Sequence, residues 1–386
     1  MKKIILCYFL PFSLLKELKT SPYMNVLINI SKKFESIFLV NTENLISTKI
    51  KTKKFYRIHK NFININPKNY TDLNKFTAKK KIIVINSIPR NLEHFRLLLY
   101  LTFKKIPKLE ISNLGNIQKG TEVFIGKFNI KYFKLLITKY IPRKIIHLLA
   151  MIGILSKVDC KFTSNKKLEI NFKKNNKIRS YYKDIQHVKS TIYENTVNQN
   201  IEEKYIVLID VYPLYSQMTE YKKINNNHII EHYKKLGTLL NHLKKILKKR
   251  IAVCIHPAYP EKFYAKYLSG FTIYKYRTNE FIKKSFIVLT FNSSSIINAI
   301  KYDKRIISIQ SKIFKEKKYS SSIYQEELKT KKITLSEKYN FNSRKLIIEL
   351  DKKIKNYKNY KTNYLGFNQK RKSSDIIFKY IMEKYN

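Results

Sequence analysis

Glycine, cysteine and acidic residues are all scarce in this chain of 386 residues, which contains 7 Gly, 3 Cys and 27 Asp+Glu. No G-x-G-x-x-G and no Walker A sequence occurs, which argues against nucleotide binding by a glycine-rich loop. Cys7, Cys160 and Cys254 lack metal-binding spacing and lie in or near apolar runs, so we interpret them as small core residues in a reducing cytoplasm.

Signatures of several enzyme classes are also missing. There is no G-x-S-x-G elbow of a serine hydrolase and no H-E-x-x-H zinc motif. No carboxylate pair follows a strand in the D-x-D manner that holds Mg²⁺ and a nucleotide-sugar diphosphate. These absences favour a transferase that works without a metal ion.

Positive charge dominates what the chain does contain. Lys+Arg number 78, which gives a formal net charge of +51, and hydrophobic residues make up 44% of the sequence. That hydrophobic share suits a globular protein, and the length suits two domains. A surface this basic attracts polyanions, and we expect an anionic membrane or an anionic glycan. A genomic bias toward lysine codons is the alternative explanation of the charge.

The start of the chain has a charged end followed by an apolar stretch from Ile4 to Leu15, as in a signal peptide. No small-residue cleavage site follows, and the stretch contains Pro11 and is too short to span a bilayer. We therefore predict a buried strand at Ile4–Phe9 that turns at Pro11 into a helix.

Short apolar runs rich in β-branched residues alternate with helical patterns along the chain, which predicts a parallel α/β architecture. A polar, Lys- and Asn-rich segment from 165 to 204 separates the two halves. We predict domains at 1–190 and 200–340, with helices of 341–386 packing back on the first domain. The predicted strands include Ser36–Val40, Lys81–Ile85 and Val158–Ser164, the last of the first half, and then Tyr205–Asp210, Ile251–Ile255, Phe286–Phe291 and Arg305–Ile309.

Residues 130–157 alternate apolar and basic side chains at helical spacing, with a break at Pro142. This pattern is typical of a helix pair that is half buried at a domain rim, and also of a helix that lies on an anionic membrane surface. The sequence leaves both interpretations open.

Polar side chains follow three strands of the second half, at the point where each strand ends. Because ligands of parallel sheets bind outside the carboxyl ends of the strands, we predict an active site here. The candidate residues are Asp210, His256, Pro257, Asn292, Ser293, Ser294 and Ser295.

Each candidate has a chemical role and an ordinary structural one. Asp210 is a potential general base toward an acceptor hydroxyl if its surroundings raise its pKa, or else a turn former before Pro213. His256 can bind or protonate a leaving phosphate, or the His-Pro pair simply ends a strand. The serines at 293–295 can form an anion site with the N–H groups of a helix starting near Ile296, or only cap that helix.

These residues resemble a known family. The His-Pro pair at 256–257 and the Asn-Ser-Ser-Ser run at 292–295 resemble the HP and SS motifs of bacterial GT-B sialyltransferases and of related capsule and lipooligosaccharide enzymes. The start, KKIILCYFLPFSLLKEL, resembles the strand–Pro–helix of the lipooligosaccharide sialyltransferases, and YIVLIDVYPLY is similar to glycosyltransferase-like proteins of surface-polysaccharide loci. The likeness covers residues 1–30 loosely and 205–310 better.

The resemblance implies two Rossmann-like domains that face a central cleft, with the nucleotide bound mainly by the second. It further implies that His256, Ser293 and Ser294 contact the nucleotide and its phosphate, and that Asp210 serves as the base. The acidic-acidic-Gly motif of several such enzymes is missing, because Ile-Asp-Val stands at 209–211. Glu220, further along the same loop, is the second candidate base.

We therefore hypothesise a metal-independent GT-B-like glycosyltransferase, bound peripherally at the cytoplasmic face of a bacterial inner membrane. It transfers a sugar from a nucleotide-sugar donor, with CMP-sialic acid as one candidate, to a glycan or glycolipid acceptor such as lipooligosaccharide or capsule. No cofactor besides that donor and no specific nucleic acid is expected. The alternatives are a polyanion-binding protein, whose 29 Tyr among lysines offer base stacking, and a degenerate GT-B subunit without catalysis.

Overall fold

The computed structural model describes residues 4–10, 23–34, 36–46, 59–78, 80–85, 94–111, 141–179, 181–190, 202–210, 226–255, 261–291, 293, 295–311 and 328–386. The chain divides into two compact units. The first comprises Met1–Gly115, Gly120–Asn195 and Asn363–Asn386, and the second comprises Asn116–Lys119 and Thr196–Thr362.

The first unit is built on a seven-stranded parallel sheet. Its strands are β1 (Ile4–Leu10), β2 (Ile37–Asn41), β3 (Phe62–Ile65), β4 (Lys81–Ile85), β5 (Lys108–Ile111), β6 (Cys160–Thr163) and β7 (Ile185–His187). The helices between them are α1 (Tyr23–Lys33), α2 (Glu43–Ile46), α3 (Tyr70–Thr77), α4 (Phe95–Phe103), α5 (Ile141–Met151), α6 (Lys166–Lys174) and α7 (Asn176–Arg179). The strand order is β3-β2-β1-β4-β5-β6-β7, so the order reverses between β1 and β4.

Strand β1 lies in the interior of this sheet, between β2 and β4, which explains its unbroken apolar sequence. Leu6 and Tyr8 pack into one core cluster with residues of α1, whereas Cys7 and Phe9 pack into a second cluster with residues of α3 and α4. A central strand of a parallel sheet is covered on both faces, and therefore both sets of alternating side chains are apolar. The predicted buried strand at Ile4–Phe9 is present, and the helix predicted after Pro11 lies outside the described residues.

The second unit is built on a six-stranded parallel sheet. Its strands are β8 (Tyr205–Asp210), β9 (Arg250–Ile255), β10 (Thr272–Lys275), β11 (Ser285–Thr290), β12 (Arg305–Gln310) and β13 (Lys331–Thr334). Its helices are α8 (Asn226–Leu247), α9 (Glu261–Tyr267), α10 (Thr278–Lys283), α11 (Ile296–Lys301) and α12 (Ser343–Ile354). The strand order β10-β9-β8-β11-β12-β13 corresponds to 3-2-1-4-5-6, the order of a dinucleotide-binding Rossmann sheet.

Helix α8 supplies much of the core of the second unit. Its side chains from Ile229 to Leu247 recur at intervals of three or four residues and pack with Ile206 and Leu208 of β8. The opposite, polar face of α8 is exposed, so the amphipathic pattern of its sequence reflects burial of one face against the sheet.

The last part of the chain is shared between the two units, which differs from the predicted domain limits. Leu346 and Leu350 of α12 pack into the core of the second unit, rather than on the first domain. The final helices are α13 (Tyr357–Leu365) and α14 (Ser373–Tyr385), and Ile377 and Ile381 of α14 are fully buried in the core cluster that includes α1.

The chain between these two helices closes on the backbone that follows β7. The Ser190 N–H donates to the Leu365 carbonyl at 2.9 Å. Gly366 has a φ of +61°, and a Cβ at this position would lie 2.5 Å from the Val188 carbonyl oxygen. Only glycine fits such a left-handed position at so close an approach.

Strands β5, β7, β10 and β13 were missed in the sequence, and one prediction needs correction. Val158–Ser164 contains β6, but it is not the last strand of the first half, because β7 follows it within the segment interpreted as a crossover. Strands β7, β10 and β13 are short edge strands of mixed polarity, and β5 contains Lys108 and Glu110, so all four lack the apolar run that identifies a central strand.

The three cysteines lie in β1, β6 and β9, and all three thiols are free and buried. Burial raises the pKa of Cys7 and of Cys254 to about 12, so these thiols stay protonated and behave as small core groups. No helix in the described part of the chain has both the length and the apolar composition needed to cross a membrane.

Candidate active site

Asp210 is the last residue of β8, the first strand of the second sheet, and its side chain is 1% exposed. Side chains alternate along a strand, so Asp210 lies on the same face as Ile206 and Leu208, which is the face that α8 covers. From α8, the Tyr233 hydroxyl donates a hydrogen bond of 2.7 Å to Asp210 Oδ2. The other carboxylate oxygen, Oδ1, is buried and has no hydrogen-bond partner among the described residues.

Burial raises the pKa of Asp210 from 3.8 to about 7, because an ionised carboxylate loses its hydration inside the protein. The hydrogen bond from Tyr233 and a weaker interaction with the Tyr264 hydroxyl lower the pKa and offset part of this rise. The raised pKa that the proposed general base requires is therefore present at Asp210. Its role as a base stays a prediction.

Aromatic side chains, here called the aromatic shell, pack on and beside the tyrosine that contacts this carboxyl group. The Tyr233 ring centroid lies 6.0 Å from that of Tyr264 and 5.5 Å from that of Tyr267. His232, next to Tyr233 on α8, has its ring centroid 5.3 Å from that of Phe291. Burial lowers the pKa of His232 to about 3, so its imidazole is neutral near pH 7 and offers no positive charge to stabilise a carboxylate.

Ser293 follows β11, the strand that lies next to β8. In the parallel register Thr290 pairs with Ile209, so the chain after β11 leaves the sheet at the level of Asp210. This is the point where the strand order reverses, and ligands of such sheets bind in the crevice formed there. Asp210 and the chain that leads to Ser293 thus reach the same edge of the sheet.

Ser293 is buried, and its hydroxyl is engaged locally. Its Oγ accepts a hydrogen bond of 3.2 Å from the Ser295 N–H, and its carbonyl accepts one of 3.1 Å from the Ile296 N–H. Helix α11, which starts at Ile296, is only six residues long. These contacts are those of a turn that leads into a short helix, and Ser295, the residue before that helix, makes no side-chain capping hydrogen bond.

Several predicted residues lie outside the described part of the chain. These are His256, Pro257, Asn292, Ser294 and the second candidate base, Glu220. The register pairs Asp210 with Ile255, the last residue of β9, so the chain reaches His256 immediately after a residue that is level with Asp210. Within the described ranges, no group of three His, Cys, Asp or Glu side chains could hold a metal ion.

The tyrosines that contact Asp210 were not identified from the sequence. Tyr233 is 23 residues away from Asp210 along the chain, on the apolar face of α8, where a tyrosine reads as an ordinary core residue. The available signal was its phenolic hydroxyl on a fully apolar face, since a buried hydroxyl usually finds a polar partner.

A fold with two such sheets has solved counterparts. The chain is similar to the wall teichoic acid polymerase TagF, with a TM-score of 0.51 and 12% identity over 100% of this chain and 90% of the polymerase chain. It is also similar to CalG4, the calicheamicin glycosyltransferase, with a TM-score of 0.50 and 6% identity over 100% of both chains. The fold is GT-B-like.

A further similar structure is a protein of Listeria monocytogenes assigned as a UDP-N-acetylglucosamine 2-epimerase, with a TM-score of 0.50 and 11% identity over 100% of this chain and 98% of that one. No family model and no curated protein matches the sequence. The expected GT-B-like class of two Rossmann-like domains is confirmed. At these identities the similarity establishes the fold, and the activity has to be argued from the residues.

Proposed function

We propose that this protein is a glycosyltransferase that moves a sugar from a nucleotide-sugar donor to a hydroxyl group of a surface-glycan acceptor. The observation that carries the proposal is Asp210, a buried carboxyl group with a pKa of about 7 at the reversal point of a Rossmann-ordered sheet. A general base works best when its pKa is close to the working pH.

In the proposed reaction the acceptor hydroxyl donates its proton to Asp210 Oδ1, the carboxylate oxygen that lacks a described partner; because this oxygen is buried, the acceptor has to displace the side chains that cover it. The hydroxyl oxygen attacks the anomeric carbon, and the bond between that carbon and the donor phosphate breaks. The phosphate leaves with the electron pair of that bond. Tyr233 holds the other oxygen of Asp210 and fixes the orientation of the carboxylate.

The donor is proposed from the sequence motifs. The His-Pro pair at 256–257 and the serines at 293–295 favour CMP-sialic acid, bound without a metal ion, with His256 at the donor phosphate. The names of the similar structures, a glycosyltransferase, a teichoic acid polymerase and a sugar-nucleotide epimerase, support an activated sugar or phosphate ester as the donor class. We propose that the enzyme acts at the cytoplasmic face of the inner membrane.

The nucleobase of the donor can be identified by thermal unfolding of the purified chain with CMP, CDP, UDP or GDP, each with and without Mg²⁺. A ligand of the folded state raises the midpoint by mass action, by about 2.7 kcal/mol of stability at a hundredfold excess over its Kd. We expect a shift with CMP that is indifferent to Mg²⁺. A shift with UDP or GDP alone would replace the donor and keep the reaction class, whereas no shift with any nucleotide would refute the proposal.

The role of Asp210 as the general base can be tested by transfer assays with the Asp210→Asn variant. Loss of a general base lowers kcat by about 10²- to 10⁴-fold, while the nucleotide-induced shift of the midpoint should persist. The matched control is Asp351→Asn, which removes an exposed carboxylate of α12 that pairs with Arg305. Full turnover by Asp210→Asn would show that Asp210 is a structural residue.

The net charge of +51 favours one second candidate, a polyanion-binding protein without catalysis. Such binding releases counterions, so its affinity falls steeply with salt and shows no preference for sequence or sugar. Salt-dependent binding to unrelated polyanions, together with no nucleotide shift, is the result that this candidate predicts.

A further inference from the structure

Large hydrophobic side chains are exposed together on one part of the first unit. Of the twelve exposed ones in the described part of the chain, half belong to the end of α4, to α5 and to the turn after α5. We name this set the apolar patch. Its members are Phe103, Ile145, Leu148, Met151, Ile152 and Ile154, which are between 47% and 78% exposed.

Helix α5 is apolar on both of its faces. Ile146 and Ala150 are buried against α4, together with Leu98 and Leu155. Ile145 and Leu148 lie on the opposite side of the helix, because the helical period separates them from Ile146 and Ala150 by about half a turn. A surface helix of a globular unit normally carries polar residues on that side. The outer face of α5 is therefore suited to an apolar environment.

The turn after α5 is held firmly to the end of α4. The Ser156 N–H donates to Thr102 Oγ1 at 3.0 Å, and the Lys108 ammonium donates to the Ser156 carbonyl at 2.6 Å. Gly153, with a φ of +84°, allows the chain to turn back there. These contacts attach the turn that carries Ile152 and Ile154 to Thr102, the residue before Phe103.

A basic groove adjoins the apolar patch, since Phe103 and Lys104 are consecutive residues. The groove has a volume of about 560 Å³, and four of its lining side chains are Lys80, Lys81, Lys104 and Lys105. None of its described lining residues is acidic. None of these four lysines forms an ion pair with a described residue. A single lysine at the end of each helix, α3 and α4, would be enough to complement the negative end of the helix dipole. Four lysines in one groove instead match the charge of several phosphate groups.

We propose that this side of the first unit docks on an anionic lipid surface, with the apolar patch at the level of the acyl boundary and the basic groove on the lipid phosphates. Apolar side chains beside clustered lysines are the combination that binds membrane interfaces, because each part adds to the affinity. A protein partner would have to be apolar and strongly acidic at once. A lipid leaflet with anionic headgroups has both properties, which is why we choose it.

The position of the patch in the sheet is compatible with catalysis. Helix α4 leads into β5 and α5 leads towards β6, so both helices end at the edge where the strands begin. Ligands of parallel sheets bind at the opposite edge, where the strands end. Docking on lipid through the patch thus leaves the ligand-binding edge of the first unit open.

Vesicle flotation of the full chain tests this inference. We expect the protein to float with vesicles of phosphatidylglycerol and phosphatidylethanolamine and to remain unbound with phosphatidylcholine vesicles. The double variant Leu148→Ser/Ile152→Ser should lower the partition coefficient at least about tenfold, because it removes apolar area that would leave water. Ile230→Ser/Ile348→Ser, at residues of the second unit that are 48% and 47% exposed, is the matched control and should bind normally.

The groove is tested by Lys80→Glu/Lys104→Glu. Loss of the two attractive charges alone should weaken binding about thirtyfold. Lys352→Glu/Lys355→Glu on α12 and the residue after it changes the net charge from +51 by the same four units and should leave binding within about threefold of the native value. Equal losses in both charge variants would mean that only the overall charge attracts the protein, which would overturn the inference.

Three further outcomes would also overturn it. The first is native protein that does not bind the anionic vesicles, and the second is a Leu148→Ser/Ile152→Ser variant that binds as well as the native chain. The third is a concentration-dependent dimer in analytical ultracentrifugation that this variant converts to a monomer, which would mean that a second copy covers the patch. The assays contain no nucleotide or acceptor, so their failure is separate from a failure of the proposed function.

Discussion

Replacement of Asp210 by asparagine should stabilise the protein at alkaline pH. The new amide would have nearly the same shape as the carboxyl group and could still accept the hydrogen bond from Tyr233, but it cannot ionise. The native carboxyl group has its pKa raised from 3.8 to about 7 by burial, so the folded state holds the proton more tightly than the unfolded state does. The stabilisation that this proton provides is complete below about pH 4 and is lost as the pH rises through 7.

The size of the effect follows from the shift in pKa. Each unit corresponds to 1.36 kcal/mol, so ionisation of Asp210 destabilises the native fold by about 4 kcal/mol above pH 8 and by about 1.5 kcal/mol at pH 5. The free energy of unfolding of Asp210→Asn minus that of the native chain should therefore grow by about 2.5 kcal/mol between these two pH values. A fixed difference from imperfect pairing of the new amide, of about 1–3 kcal/mol, does not alter this change with pH.

The assay is urea unfolding followed by circular dichroism at both pH values. Urea is preferable to guanidinium chloride because a salt would screen the net charge of +51. Asp351→Asn is the control, and its difference from the native chain should change by less than about 0.5 kcal/mol. A pH-independent difference for Asp210→Asn would refute the argument that burial keeps this carboxyl group protonated up to neutral pH.

Three further predictions concern the same site and the backbone. Tyr233→Phe removes the hydrogen bond that lowers the pKa of Asp210, so the acid limb of the pH–rate profile should move up by about 1 pH unit. Tyr267→Phe, which changes a neighbouring ring of the aromatic shell, should leave the acid limb in place. An unmoved acid limb in both variants would exclude Asp210 as the titrating group. Gly366→Ala should destabilise the first unit by about 3 kcal/mol or more, since a left-handed alanine costs about 1–2 kcal/mol and its Cβ would also collide with the Val188 carbonyl. In the same urea series Gly153→Ala, with open space around it, should show the backbone penalty alone, and Gly237→Ala inside α8 should stabilise the chain by about 1 kcal/mol. Equal effects at Gly366 and Gly153 would mean that the approach to Val188 is unimportant.

The central strands could be predicted from the sequence because burial on two faces leaves a continuous apolar run. Lys81–Ile85 and Tyr205–Asp210 were predicted with the bounds that the structure has. The edge strands β7, β10 and β13 were not predicted, since pairing on one side requires no such run. The interior strand β5 was not predicted either, because its four residues include Lys108 and Glu110. Their formation depends on pairing with the preceding strand rather than on an apolar run of their own.

Only the local part of the candidate site could be predicted from the sequence. A carboxylate at the end of a strand is a local feature, and Asp210 was identified on that basis. Its tyrosine partners and the burial that raises its pKa arise from helices further along the chain, which no local pattern encodes. The divided C-terminal segment was also unpredictable, because the helical patterns of α12 and α14 are alike although their buried faces belong to different cores.

The discontinuous first unit has a consequence for the order of folding during synthesis. Helix α14, whose Ile377 and Ile381 complete the core around α1, is the last of the described elements to leave the ribosome. The second unit is almost continuous in sequence and has all of its described strands before that point. It can therefore reach its native state first, while the amino-terminal half still exposes the hydrophobic face that α14 covers. A nascent chain that stalls shortly before α14 would expose that face, and chaperones would recognise it there.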